Sequence, residues 1–505
     1  MSVTPSSEES IKGRLAFGTL IIAGAKFVSL ALGLISTIVL ARFLTPSDFG
    51  LVAIASALVM VFSRISDLSL SEALIQIEEV TQDHYDTAWT LSIIRSTLIG
   101  LIILGVSYPF SLIYDEVRLV NIMIVMAAAL FIGGAANPKM IIYIRQLDFR
   151  QSAFISLAEK FVGFVVGVTI AIIYRSYWAL VLAVFASQIT RLVISYCIIS
   201  YMPRFSVNRY RDLLGFSVWI TLSRGVQSMS QKSDEMILAY FIPIAQIGQF
   251  NLSKRIVYIT TFELTSPLIQ VLFPAFSRVK KDPERLRHAY RDAMSVMASI
   301  ILPLAGGLFL VAAPVVDIVL NEQWKPIIPI MQFVCITVFL RRLQYIQPVM
   351  MALGKTKALF YRDIAIFLIR LLLLFGGIYL GYSTQIGILY GALIGNVIAA
   401  FISSFWNMHL LASHSKISIR DQLIVVIRPV VAVITMVVLV RWFGSVGVTD
   451  YWSSINKLAL TIVLGAVIYV AIMTLTWVAT ARPRGIETLF LEQAVRLYLK
   501  LRENK

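Results

Sequence analysis

Eight basic side chains stand where a lipid bilayer would disfavour them. Lys26, Arg64, Arg95, Arg191, Arg224, Arg255, Arg341 and Arg370 all lie inside long apolar runs. A charge at the centre of a membrane helix costs roughly 2.5–3.5 kcal/mol on insertion scales, so each should face a cavity or a partner. Acids inside the same runs are fewer: Asp67, Asp234, Glu235 and Glu263. Such a cationic surplus supports the holding of an anion, because guanidinium groups stay charged in a low dielectric and offer a planar fork of donors. Catalytic chemistry finds no support. His84, His288, His409 and His414 are scattered without HExxH spacing, and no GxSxG nucleophile elbow occurs. Cys197 and Cys335 sit in apolar segments and suggest neither a disulfide framework nor a metal site.

The spacing of these groups places them on helix faces. Arg224, Gln227, Gln231 and Asp234 recur every three or four residues, as one stripe of a helix does. Lys26, Ser29, Gly33 and Ser36 form a second stripe, Asn251, Arg255 and Tyr258 a third, and Ser56, Ser63, Asp67 and Ser71 a fourth. Stripes of this kind, on helices that meet, describe a central water-filled chamber with net positive charge. The competing reading is that single arginines only bridge helices or snorkel, as expected of Arg42, Arg342 and Arg441, which lie near run ends or off the stripes. Glu159 and Lys160 read as an interfacial pair. Trp89, Trp178 and Trp477, near run ends, read as interfacial anchors rather than sugar platforms.

The elements that carry the stripes follow from composition. The chain has 505 residues, 58% hydrophobic and 14% charged, with a mean hydropathy of +0.82. A soluble domain is about half apolar and a quarter charged, so the fold class expected is an all-α integral membrane protein. Apolar runs separated by breakers give about fourteen transmembrane helices. They fall near 15–40, 49–73, 87–110, 119–143, 152–174, 178–201, 213–241, 248–274, 290–320, 327–352, 360–380, 386–411, 423–443 and 456–479. Pro303 or Pro314 is expected to break run 290–320. The first run is too long for a signal h-region and carries Lys26 in its middle, so no removal is expected. Lys and Arg concentrate on alternate connections and on both termini, which places the N- and C-termini in the cytoplasm. The formal net charge of +16 is mostly this topological bias, and no nucleic-acid partner is expected. After Pro483, apolar residues from Ile486 to Leu501 keep one face, an amphipathic helix for the cytoplasmic leaflet.

The two halves repeat. LARFLTPSDFG at 40–50 and LAYFIPIAQIG at 238–248 align without a gap, pairing Leu40 with Leu238, Ala41 with Ala239, Phe43 with Phe241 and Gly50 with Gly248. Each is read as a short external turn between two helices, with proline ending one helix and Ser47 or Asp48 capping the next. A six-helix unit returns the chain to its starting side, so two such units must be parallel repeats about an axis along the membrane normal. The expected organisation is a cytoplasmic tail 1–14, an N-lobe 15–205, a C-lobe 206–412, an extra helix pair 413–480 and a cytoplasmic amphipathic tail 481–505. Gly163 with Gly167, and Gly387 with Gly391 and Gly395, read as packing seams.

The stretch 40–76 resembles the opening of the polysaccharide-transport, Wzx-type, lipid-linked oligosaccharide flippases of the multidrug, oligosaccharidyl-lipid and polysaccharide exporter superfamily. Leu44-Thr45-Pro46-Ser47-Asp48-Phe49-Gly50 is similar to that family's L-G-P-x-D-F-G, with Thr45 for glycine. Asp67-Leu68-Ser69-Leu70 stands for its D-x-G-L turn, and Arg145 to Arg150 and Tyr177 to Leu180 are also similar. The resemblance spans about residues 12 to 480. It implies two V-shaped lobes and transfer of undecaprenyl-pyrophosphate-linked oligosaccharide across the bacterial inner membrane, for exopolysaccharide, capsule or O-antigen (lipopolysaccharide) assembly. On that reading Lys26, Arg64, Arg224 and Arg255 contact the pyrophosphate, while Arg95, Arg341 and Arg370 shape the field. Ser29, Ser63, Gln227, Gln231, Asn251 and Tyr258 would line the sugar path. The protein is expected to be no enzyme and to need no cofactor. Asp67, Asp234 and Glu263 are the groups for a coupling proton or sodium, with partnership to the arginines as the favoured alternative. Implied partners are membrane lipids, a polysaccharide polymerase and a chain-length regulator. The rival functions are a multidrug and cation antiporter of the same superfamily, a peptidoglycan lipid-precursor flippase, and a membrane glycan polymerase or ligase.

Overall fold

The computed structural model describes residues 7–66, 70–146, 148–214, 218–263, 265–343, 345–445, 454–480 and 488. The described elements are helices, and the chain forms two compact units, 1–251 and 252–505. The first unit holds α1 (Ser7–Phe43), α2 (Pro46–Ile65), α3 (Leu70–Gln76), α4 (Gln82–Ile113), α5 (Arg118–Gly134), α6 (Ile141–Arg145), α7 (Arg150–Tyr174), α8 (Trp178–Ile198), α9 (Tyr210–Leu214), α10 (Val218–Phe241) and the start of α11 (Ile244–Tyr258). The second holds the end of α11, a π turn at Ile259–Glu263, α12 (Ser266–Val279), α13 (Pro283–Val319), α14 (Ile327–Arg342), α15 (Gln347–Ala352), α16 (Thr356–Ser383), α17 (Ile388–His414), α18 (Ile419–Ser445) and α19 (Ser454–Ala479).

Among the described residues eleven helices are long and apolar enough to cross a membrane. They become twelve if Arg118–Gly134 and Pro138–Arg145, bent by 57°, count as one span. Every expected run falls on a helix or a broken helix, yet length and apolarity do not establish fourteen. The seventh run, α10, carries Arg224, Lys232, Asp234 and Glu235, and the eighth is interrupted after only 15 residues of α11. The first shortfall arises from the polar stripe itself, and the second from the π turn that ends α11. The expected break in run 290–320 does not occur: α13 continues for 37 residues through Pro303 and Pro314. In an apolar medium no water replaces a lost helical bond, so the helix keeps the rest of its ladder and lets neighbours accommodate the gap. α14, α18 and α19 pack along it.

In the first unit α7 and α8 form a close pair. A Cβ on Gly163 would meet Ser187, and one on Gly167 would meet Ala183, as a small-residue seam requires. In the second, Gly377 and Gly381 on α16 face Gly391 and Gly387 at α17. The amphipathic face expected from Ile486 to Leu501 lies outside the described residues.

At one end the first unit is tied by polar contacts. Arg145 donates to the carbonyls of Leu74 and Ile77 at 2.7 Å and of Glu78 at 2.8 Å, capping the end of α3. The segment between α8 and α9 docks on the start of α4 through the buried bond from Tyr201 Oη to Asp86 Oδ1, 2.7 Å. Burial and this carboxylate both raise the Tyr201 phenol above its ordinary value, burial most.

Candidate functional site

The first repeated turn is built by local bonds. Thr45 is the N-cap of α2, with Pro46 at the first helical position. Its hydroxyl and backbone N–H both donate to Asp48 Oδ2, at 2.7 and 2.9 Å, while the Asp48 N–H donates back to Thr45 Oγ1 at 3.3 Å. This is a reciprocal capping box. The cap is therefore Thr45, and Asp48 is its third-position partner rather than the cap.

The turn and its repeat meet. A Cβ on Gly50 would overlap the backbone carbonyl of Ile244, and a Cβ on Gly248 would overlap that of Pro46. In the register that pairs Leu40 with Leu238, Pro46 corresponds to Ile244 and Gly50 to Gly248. The two contacts exchange under the repeat, which is what a local two-fold relation demands. Only a residue without a side chain allows this approach of backbones.

From that crossing α2 and α10 run side by side. Arg64 lies 18 residues beyond Pro46, and Arg224 lies 17 residues before Phe241. At 1.5 Å per residue both stand roughly 26 Å along their helices from the repeated turns. Lys26 is likewise 17 residues before Phe43 at the end of α1. The first-unit cations assigned to the anion thus share one level, counted along their helices. The repeat goes further. In the same register Lys26 corresponds to Arg224, Ser29 to Gln227, Gly33 to Gln231 and Ser36 to Asp234. The two stripes are one stripe duplicated.

Lys26, Ser29, Ser63, Arg95, Arg224, Gln227 and Asn251 are half-buried, whereas Arg64 and Gln231 are exposed. Gln227 donates from Nε2 to Ser223 Oγ at 3.4 Å. Asp234 is 2% exposed. Beside it Glu235, 1% exposed, takes a 2.8 Å bond from Lys232 Nζ one turn earlier. That ammonium was overlooked in the sequence, because Lys232 lies off the stripe. The principal neighbour of α1 is α7, and that of α4 is α5, so Lys26 and Arg95 stand on other pairs than α2 and α10. Arg191 leaves the cavity group: its Nε lies 3.8 Å from Glu159 Oε1. Glu159 therefore serves α8 as well as its neighbour Lys160. Asp67 lies outside the described residues.

In the second unit Arg255 and Tyr258 are exposed on one face of α11, and Arg341 is half-buried on α14. Arg370 is buried between α16 and α17, 5% exposed, where it donates from Nε to Asn396 Oδ1 at 3.0 Å. Glu263 closes the π turn, and its side chain lies outside the described residues. Phe262 escaped the sequence reading, and Arg342, expected to bridge helices or snorkel, packs on it. The guanidinium of Arg342 sits 4.8 Å from the Phe262 ring centre and 6.0 Å from that of Tyr345. Phe262 in turn stacks on Tyr258, centroids 4.8 Å apart at 24°. A 3.6-residue stripe runs out at Tyr258 because the π turn inserts a residue, so periodicity carried no hint of Phe262. Among the described residues no three His, Cys, Asp or Glu side chains gather as a metal site would require.

A profile described as "Polysaccharide biosynthesis protein" matches residues 39–329. The chain is similar to the succinoglycan biosynthesis transport protein ExoT of Rhizobium meliloti, 24% identical over 469 residues and 90% of each chain. It is similar to the lipopolysaccharide biosynthesis protein WzxC of Escherichia coli, 23% identical over 76% of this chain and 80% of that one. Among solved structures it is similar to the lipid II flippase MurJ in an inward closed conformation, with a TM-score of 0.66 at 14% identity over 92% of this chain and 100% of that chain. At that identity the likeness shows the fold.

Proposed function

This chain is a member of the polysaccharide biosynthesis protein family, and from that membership we propose that it is a flippase for undecaprenyl-pyrophosphate-linked oligosaccharide repeat units. It moves them from the cytoplasmic to the periplasmic leaflet of the bacterial inner membrane, for exopolysaccharide, capsule or O-antigen assembly. The observation that carries the reading is the duplicated stripe: repeat-related Lys26 and Arg224, with Arg64 at the same level, in helices otherwise built for lipid. A pyrophosphate is a concentrated dianion, and its charge offsets the desolvation of the cations that bind it inside a membrane. Lys26, Arg64, Arg224 and Arg255 contact the phosphates, and Arg95, Arg341 and Arg370 set the surrounding field. Ser29, Ser63, Gln227, Gln231 and Asn251 offer hydrogen bonds to sugar hydroxyls. Access to this site alternates between the two membrane faces, with both termini in the cytoplasm. Coupling to a proton or sodium gradient would act through Asp67, Asp234 or Glu263, of which Asp234 is buried on the Arg224 stripe. A polymerase and a chain-length regulator would receive the product.

Arg64→Ala and Arg224→Ala should each abolish polymer output when they replace the native gene in a flippase-deficient strain, at unchanged abundance in the membrane. Normal output from both variants would remove these residues from the mechanism.

A further inference from the structure

We propose that Tyr258 is a carbohydrate-stacking platform, seated on Phe262 and Arg342, which takes the sugar directly joined to the substrate's phosphates. The proposal rests on the flippase reading and names a sugar subsite within it. The helix α11 ends at Tyr258 and passes into the π turn Ile259–Glu263. Single π turns inside helices recur at functional sites because they re-aim side chains. Here the turn lays two rings in parallel, Tyr258 and Phe262 at 4.8 Å and 24°. The Arg342 guanidinium, brought by α14, lies 4.8 Å from the Phe262 ring centre, and Tyr345 flanks that guanidinium at 6.0 Å. Two segments distant in sequence thus hold one ring stack in place by cation–π attraction.

The outer member of the stack is 47% exposed. An exposed tyrosine on a membrane helix ordinarily marks the interfacial belt, but Tyr258 is about four turns into α11, roughly 21 Å from Ile244. A hydrocarbon core of about 30 Å puts that position inside the bilayer rather than at the belt where α11 begins. Arg255, also exposed, precedes it by one turn on the same face. Side chains so related lie roughly 5–6 Å apart, which suits a pyranose bonded directly to a phosphate. Arg255 takes the phosphate, and the apolar C–H face of the sugar lies on the Tyr258 ring. Phe262 and Arg342 are positioning residues. Their packing fixes the ring angle, so the ring need not be ordered when the sugar arrives.

The test uses the full chain in lipid nanodiscs with two probes, undecaprenyl pyrophosphate and undecaprenyl-pyrophosphoryl-glucose, with binding read by native mass spectrometry. The wild type should prefer the glucosylated lipid. Tyr258→Ala should weaken that lipid by roughly tenfold, the scale of one aromatic contact, and leave the bare pyrophosphate lipid unchanged. Tyr258→Phe and Tyr258→Trp should retain the preference. Arg342→Ala should reduce it, and Arg342→Lys should restore part of it. Equal loss of both lipids in Tyr258→Ala, or no sugar preference in the wild type, overturns the platform and leaves the flippase reading standing. A wild-type protein that binds neither lipid overturns both.

Discussion

The crossing of Gly50 and Gly248 makes a quantitative demand on the fold. Each glycine lies against a backbone carbonyl of the partner helix start, Ile244 for one and Pro46 for the other. A methyl group cannot be relieved there by rotating a side chain, so Gly50→Ala must drive the helix starts apart by roughly an ångström. Overpacking of this kind costs about 1–3 kcal/mol. The repeat predicts a similar cost for Gly248→Ala, since the two contacts are equivalent. It also predicts that the double variant costs clearly less than the two single costs added, because helices already parted admit the second methyl group. Gly376 on α16 is the control, with nothing within 4 Å of its would-be Cβ. Its change to alanine should gain up to about 1 kcal/mol from helix propensity. Unfolding in mixed micelles titrated with dodecyl sulfate gives all four free energies. Unchanged stability in either single variant, or strictly additive costs, would refute the shared crossing.

Two further outcomes follow from charge placement. Lys232→Ala removes the ammonium bound to the buried Glu235 carboxylate and should destabilise the protein by about 3 kcal/mol; Lys232→Met combined with Glu235→Gln should recover most of that loss in the same assay. At the α4–α5 connection, Arg118 donates to both oxygens of Glu116 at 2.7 Å, and these bonds hold the Glu116 carboxyl below its ordinary value of 4.5. A depressed acid contributes stability above its unfolded value and loses it as pH falls through the folded one. The difference in melting temperature between wild type and Glu116→Gln should therefore shrink as pH is lowered from about 6 to about 3. A constant difference across that range would show that the pair contributes nothing to folding.

The residues most recognisable in the sequence turn out to build the frame. Thr45, Asp48 and Gly50 in the first motif make a capping box and a backbone crossing, and Arg145 in another caps α3. Such roles are local or nearly so, and local geometry leaves a signature at fixed spacing. The membrane class, the positions of the helical runs, the repeat and the polar stripes were legible for the same reason, because each depends on hydrophobic period and breaker residues alone. Lys26 and Arg224 could be singled out because a charge within an apolar run is unfavourable wherever the run packs.

Tertiary structure decided which group stands beside each of several charges. Glu159 claims Arg191, Lys232 claims Glu235, and Asn396 receives Arg370 across a glycine seam. The continuity of α13 through two prolines was also decided by its neighbours, and the Tyr258, Phe262 and Arg342 stack by a π turn and a helix some eighty residues away. A one-dimensional pattern records the cost of placing a group in a membrane. The partner that offsets the cost comes from whichever helix the fold sets beside it, and no spacing along the chain encodes that choice.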